Sequence, residues 1–265
     1  MSILRSETGT VHICGHRGHL VASPENTFAS FRMAKELGAT ICETDLVLSA
    51  DGELILFHDA TVDRTSNGKG LVSKMTLAEL KALDVSSWFS PKFEGERVPT
   101  LREAIVFARE NGMLLQLELK VQGLDDLLFP KTAALLDELD AHDVVWFSSL
   151  DFRQLRDIKR QIPKVPTVGL SHTSFIDPVA LAKEAHLDAL QFDWHRFSPE
   201  EAIQLHRNGI AATVVVIATQ KEIERRASYG DDIERRVAGW ISDGHIDQLL
   251  GDDVAWVERV VRSAS

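Results

Sequence analysis

Residues 40–48 read TICETDLVL and residues 114–120 read LLQLELK, and the alternation within these two stretches decides the fold. In an extended chain successive side chains point to opposite faces. Glu43 and Asp45 therefore share one face of the first stretch, with Cys42 and Thr44 on the other. In the second, Leu115, Leu117 and Leu119 form an apolar face, while Gln116, Glu118 and Lys120 point the opposite way. Strands that are apolar toward covering helices and charged inward at their C-terminal ends suit a parallel barrel, where active sites form at that end.

Short apolar runs at 11–15, 144–148, 167–170, 189–192, 212–217 and 248–250 complete a set of eight strands. Between them lie helix-period segments at 27–37 (Asn26 as N-cap, Gly38 closing it), 101–111, 124–139, 152–162, 178–185, 199–207, 221–237 and 254–262. Eight β/α units in 265 residues predict an α/β fold of the TIM (β/α)8 barrel type. A doubly wound open sheet would carry GxGxxG after its first strand, and none is present. With neither linker nor repeat, residues 1–265 read as a single domain. One region departs from the alternation. After 40–48 the turn Ala50-Asp51-Gly52 leads into a returning strand, 53–57, which would bring His58 back over the barrel mouth. Residues 60–100 are too long for an ordinary loop, hold a short amphipathic piece at 76–83, and read as a small cap inserted after strand two.

Composition removes several classes. With 40 acidic against 29 basic residues the net charge is −11, and no basic stripe interrupted by aromatics offsets it, which argues against a nucleic-acid partner. At 44% hydrophobic and 26% charged residues the chain is neither disordered nor membrane-spanning. The first ten residues lack an apolar signal core, so a cytoplasmic protein without stable membrane association is expected. Cys14 and Cys42 form no CxxC pair and read as reduced structural thiols on different layers. A homo-oligomer stays open.

Three inward carboxylates, Glu43, Asp45 and Glu118, gather on neighbouring strands and offer the oxygen ligands that Mg2+ or Ca2+ takes; zinc would favour His or Cys. The alternative is a salt-bridged layer in which Arg17 and Lys120 neutralise them, yet three acids against two bases leave a negative charge. Gly15-His16-Arg17-Gly18-His19 closes strand one with a proton-exchanging His16 and an Arg17 fork matched to phosphate. His58 reaches the same rim. Two histidines and a metal suffice to cleave a phosphodiester.

These residues resemble the glycerophosphodiester phosphodiesterase family. Its marks are Gly15-His16-Arg17-Gly18, Pro24-Glu25-Asn26-Thr27, Glu43-Thr44-Asp45, Asp51-Gly52 leading to His58-Asp59, Asp63-Arg64-Thr65 through Gly68 and Gly70, and Glu118-Leu119-Lys120, ordered over 13–120. The resemblance implies a barrel capped after strand two, a divalent metal on Glu43, Asp45 and Glu118, and His16 and His58 as the acid–base pair. Arg17 and Lys120 would hold the phosphate of a small-molecule phosphodiester, cleaved to glycerol 3-phosphate and an alcohol. Family practice favours His16 as base and His58 as acid.

The last third departs from that pattern. The tryptophan the family often carries near strand seven is replaced by Ala212-Thr213-Val214-Val215, Leu150 stands where Phe is frequent, and the strand-eight motif reads Asp247-Gln248-Leu249-Leu250-Gly251-Asp252. Replacement pocket residues are sought in His172 and in Asp193, Trp194 and His195, with Trp194 as an apolar or sugar-stacking platform. The open alternatives are a sugar phosphodiester of the agrocinopine kind, a lysolipid or sphingomyelin diester, and a catalytically silent phosphate-ester-binding barrel.

Overall fold

The structure, a computed structural model, describes residues 2–120 and 127–264. In chain order its elements are α1 (Arg5–Thr8), β1 (His12–Gly15), α2 (Phe28–Glu36), β2 (Ile41–Leu48), β3 (Leu54–Leu56), α3 (Leu77–Ala82), α4 (Leu101–Glu110), β4 (Leu114–Leu119), α5 (Leu128–Leu139), β5 (Val145–Ser149) and α6 (Phe152–Gln161). They continue with β6 (Thr167–Ser171), α7 (Pro178–Glu184), β7 (Ala189–Asp193), α8 (Pro199–Arg207), β8 (Ala211–Val216), α9 (Gln220–Ser228), α10 (Ile233–Ser242), β9 (Gln248–Gly251) and α11 (Val254–Ala264).

The eight parallel strands close on themselves, because β1 pairs with β2 on one side and with β9 on the other. This is the expected TIM barrel. β3 is antiparallel to β2, with Leu46 opposite Leu56, so the anticipated hairpin stands on the rim. The alternation of β2 and β4 partitions side chains as their sequences demand: Cys42, Leu46, Leu115, Leu117 and Leu119 pack outward under the helices, whereas Ile41 joins Cys14, Trp146 and Val168 inside the barrel. The two thiols thus lie on different layers and are free. Val47, Ile55, Val62, Val72 and Leu80 form a separate small core that couples the β2–β3 hairpin to the 60–100 segment.

Several local expectations need correction. Thr27, not Asn26, caps α2 by accepting from the Ser30 N–H, while Asn26 adopts a left-handed φ of 54° and turns its side chain toward the barrel. The helix expected at 221–237 is two helices, because Gly230 at φ 87° stops α9 and Asp232 starts α10 by accepting from the Arg235 N–H. Residues 124–126 of the expected 124–139 helix lie outside the described residues. Helix α1 was not expected. It fastens the chain's start beneath the barrel: Ile3 joins the inner core, and the Arg5 N–H donates to Asp247 Oδ1 at 2.7 Å. Asp247 also accepts from the Ala212 N–H and pairs with His206 Nε2, both at 2.7 Å. Among the described residues no helix is long and apolar enough to cross a membrane.

Candidate active site

The turn after β1 is forced by its glycines. A Cβ at Gly15 would lie 2.3 Å from the Gly18 carbonyl oxygen, and Gly18, at φ 90°, packs on Ser30. Only glycine fits at both places. Between them Arg17 holds a left-handed φ of 51°, which aims its N–H at Glu43 Oε2 (3.0 Å) and its side chain at Glu25 (2.8 Å) and Asp45 (3.4 Å).

The cavity above this turn has a volume of about 240 Å3 and is lined by His16, Arg17, Glu43, His58, Gln116, Glu118 and Lys120 on its charged side. Glu43, Asp45 and Glu118 each bring an oxygen to within 4.8 Å of the others. Burial, reinforced by the charge of Asp45, pushes the Glu43 carboxyl up to about 8. Asp45 is also fully buried, but Lys120 and Arg17 outweigh that burial and hold its carboxyl below the usual range. Lys120 Nζ lies 2.6 Å from Glu118 Oε1 and 2.9 Å from Asp45 Oδ1, the second contact without hydrogen-bond geometry. The ion pairs of the salt-bridged alternative are therefore present. They do not complete the site, since Glu43 Oε1 is buried with no hydrogen-bond partner and its carboxyl resists ionisation. An all-oxygen donor set with an orphaned carboxylate oxygen, spanned by bonds of about 2.0–2.6 Å, fits a hard divalent cation.

Each histidine is anchored from behind. His16 Nδ1 lies 2.7 Å from Asp252 Oδ1, and His58 Nδ1 lies 2.7 Å from Asp59 Oδ1. Burial of His16 works against its cationic form, but the Asp252 hydrogen bond and the Glu43 charge outweigh it, and its pKa is raised. Asp59 is held down to about 2, chiefly by Arg64, which also bonds Glu25. Asn26 Nδ2 donates to Asp45 Oδ2 at 2.8 Å, and the Val254 N–H donates to His19 Nδ1 at 3.2 Å, tying the Gly15–Gly18 turn to the segment that carries Asp252. Glu25, Asp59, Arg64 and Asp252 stand in motifs quoted from the sequence, but none of them was given a role there. Asp59 alone stands next in sequence to the side chain it anchors.

Of the replacement pocket residues, His172 lines the cavity, with Nδ1 3.4 Å from Asp193. Trp194 does not. Its indole is 8% exposed, packed in the outer core with the Arg226 and Arg236 guanidiniums 5.2 and 5.6 Å from its ring, so it secures the α9–α10 pair instead of meeting a ligand.

A closed barrel with a carboxylate cluster and two aspartate-anchored histidines at its mouth is the layout of a hydrolase for phosphoric diesters. Residues 16–232 match the model of the glycerophosphoryl diester phosphodiesterase family, and the chain belongs to that family. It is 34% identical, over 83% of its length and 91% of the other's, to a glycerophosphodiester phosphodiesterase of Caldanaerobacter subterraneus subsp. tengcongensis. It is similar in structure to an Oleispira antarctica phosphodiesterase solved with its product sn-glycerol-3-phosphate (TM-score 0.81, 27% identity, 100% of this chain and 99% of that one). A glycerophosphodiester phosphodiesterase of Agrobacterium tumefaciens is similar as well (TM-score 0.79, 25% identity, 94% and 100% covered).

Proposed function

We propose that this phosphoric diester hydrolase cleaves glycerophosphodiesters to glycerol 3-phosphate and an alcohol, with His16 and His58 exchanging protons and Glu43, Asp45 and Glu118 holding Mg2+ or Ca2+. The observation that carries this reading is the clustering of those three carboxylates within 4.8 Å of one another at a cavity that Glu43, Glu118 and both anchored histidines line. The product bound by the Oleispira relative supports glycerol as the retained arm. Held by Glu43, Asp45 and Glu118, the cation would polarise a phosphoryl oxygen and offset the negative charge that grows on the non-bridging oxygens.

The remaining work falls to side chains. With Nδ1 turned to Asp252, His16 presents Nε2 to the cavity, 3.9 Å from Glu43 Oε2, and accepts there the proton of the attacking water or hydroxyl. His58, with Nδ1 on Asp59, donates from Nε2 to the departing alkoxide oxygen. Arg17 and Lys120 clamp the non-bridging oxygens, and Arg17 Nε is buried with no hydrogen-bond partner of its own. His172 contacts the substrate from the opposite rim. The cytoplasmic setting expected from the sequence belongs to this proposal, since the chain has only two cysteines and no CxxC pair.

Phosphorus NMR of the purified protein with glycerophosphocholine and glycerophosphoethanol, with Mg2+ or Ca2+, tests the reading. Glycerol 3-phosphate should appear, and both EDTA and His16→Ala should suppress it. An unchanged spectrum with every glycerol diester would sink it and move the assay to sugar phosphodiesters, then to the silent barrel.

A further inference from the structure

The wall of the cavity opposite the carboxylates is made by other strands and by another chemistry. Leu150 follows β5, Leu170 is the penultimate residue of β6, Val215 is that of β8 with Ile217 just past the strand's end, and Leu250 belongs to β9. Leu170, Val215 and Leu250 are buried, whereas Leu150 and Ile217 remain 55% and 54% exposed at the lip. Exposed aliphatic side chains occur elsewhere on the surface, but these two line the cavity together with the buried Leu170, Val215 and Leu250 and so extend an apolar wall to its lip. Of the polar groups on this wall, Ser171 Oγ donates to the Thr173 carbonyl at 3.0 Å, and His172 holds Nδ1 3.4 Å from Asp193 while its side chain stays 66% exposed.

The floor contrasts with the lip. Gln116 Oε1 accepts from Gln248 Nε2 at 2.8 Å, which leaves Gln116 Nε2 buried without a partner, and Gln191 Oε1 is likewise unpaired. Both residues line the cavity. A donor and an acceptor at the floor suit the hydroxyls of a glycerol arm. A phosphorus held at the carboxylate wall with glycerol pointing down sends its second ester arm up along the leucines.

Resting on the glycerophosphodiester reading, we propose that the aliphatic wall receives a hydrocarbon chain on the alcohol arm, so the preferred substrates are glycerol diesters of apolar alcohols. Among the described residues that line this wall there is no Phe, Tyr, Trp, Asp or Glu to welcome a quaternary ammonium, and its one hydroxyl, Ser171 Oγ, already donates to the Thr173 carbonyl.

The experiment measures kcat/KM for glycerophosphoethanol, glycerophosphobutanol and glycerophosphohexanol, kept monomeric in solution, beside glycerophosphocholine. Wild-type kcat/KM should climb about twofold per methylene, the gain from half-burying each CH2. The butyl and hexyl diesters should overtake the choline diester. In the double variant Leu150→Gln, Ile217→Gln the climb should flatten. A flat or falling series in an enzyme that turns over glycerophosphoethanol overturns the proposal alone, as does a climb that the double variant preserves. Absence of turnover on all four diesters overturns the glycerophosphodiester reading and this proposal together.

Discussion

The half of the barrel mouth built by β1, β2 and β4 and the half built by β5 to β8 share one backbone pattern and almost no chemistry. The first half carries the carboxylates, both histidines, Arg17 and Lys120, and keeps left-handed backbone at Arg17 and Asn26 to aim them. The second presents leucine, valine and isoleucine with His172 as its exposed charge-capable group. A parallel barrel permits this because each strand contributes its end independently, so reaction and selection can be written into different strands. β9 joins the halves, giving Leu250 to the aliphatic wall and, just beyond it, Asp252 to His16.

If the halves divide the labour in this way, the largest losses come from the charged one. Glu43→Gln should lower kcat/KM by about 10^3-fold or more and abolish divalent-cation binding in calorimetry. Retention of both would break the contrast at its root. Asp252→Asn should cost about 10–100-fold. Because Asp252 raises the His16 pKa, its loss lowers that pKa, and the acid limb of the kcat/KM profile moves to lower pH. A limb that stays in place would remove His16 as the base. On the other side, Trp194→Ala should lower stability by about 3 kcal/mol in denaturant titration. It should change kcat/KM of the folded enzyme by only about threefold, since the indole does not reach the cavity.

The smallest effect concerns the joint between the halves. Burial lowers the His19 pKa from 6.5, so below that pH the unfolded chain takes up a proton the folded one resists, and stability falls on acidification. His19→Asn keeps an acceptor for the Val254 N–H without the titration. Its melting temperature should drop less than the wild type's between pH 8 and 5.5, and equal drops would refute the assignment.

The charged half was legible in sequence because its information is local. Glu43, Asp45 and Glu118 declare their faces through strict alternation with Cys42, Thr44, Leu117 and Leu119. His58 follows from the Asp51-Gly52 turn. The aliphatic half was read less well, since a residue just past a strand end can face the mouth, as His172 does, or turn back under a helix, as Trp194 does, and no periodicity separates the two. The Asp252 partnership joins residues 236 positions apart and leaves no local trace. The break between α9 and α10 was hidden by charges that continue helical spacing across Gly230.

The pairing of His16 with Asp252 also has a temporal side. At about 5–20 residues per second, a ribosome releases Asp252 roughly 12–50 s after His16. Until then β1 has no β9 to pair with, and the histidine lacks the partner that orients it. On the proposed role of His16, a nascent or C-terminally nicked chain that already carries Glu43, Asp45, His58 and Glu118 should stay inactive for want of its last strand. Hydrolysis is then expected only after the first strand and the last have met.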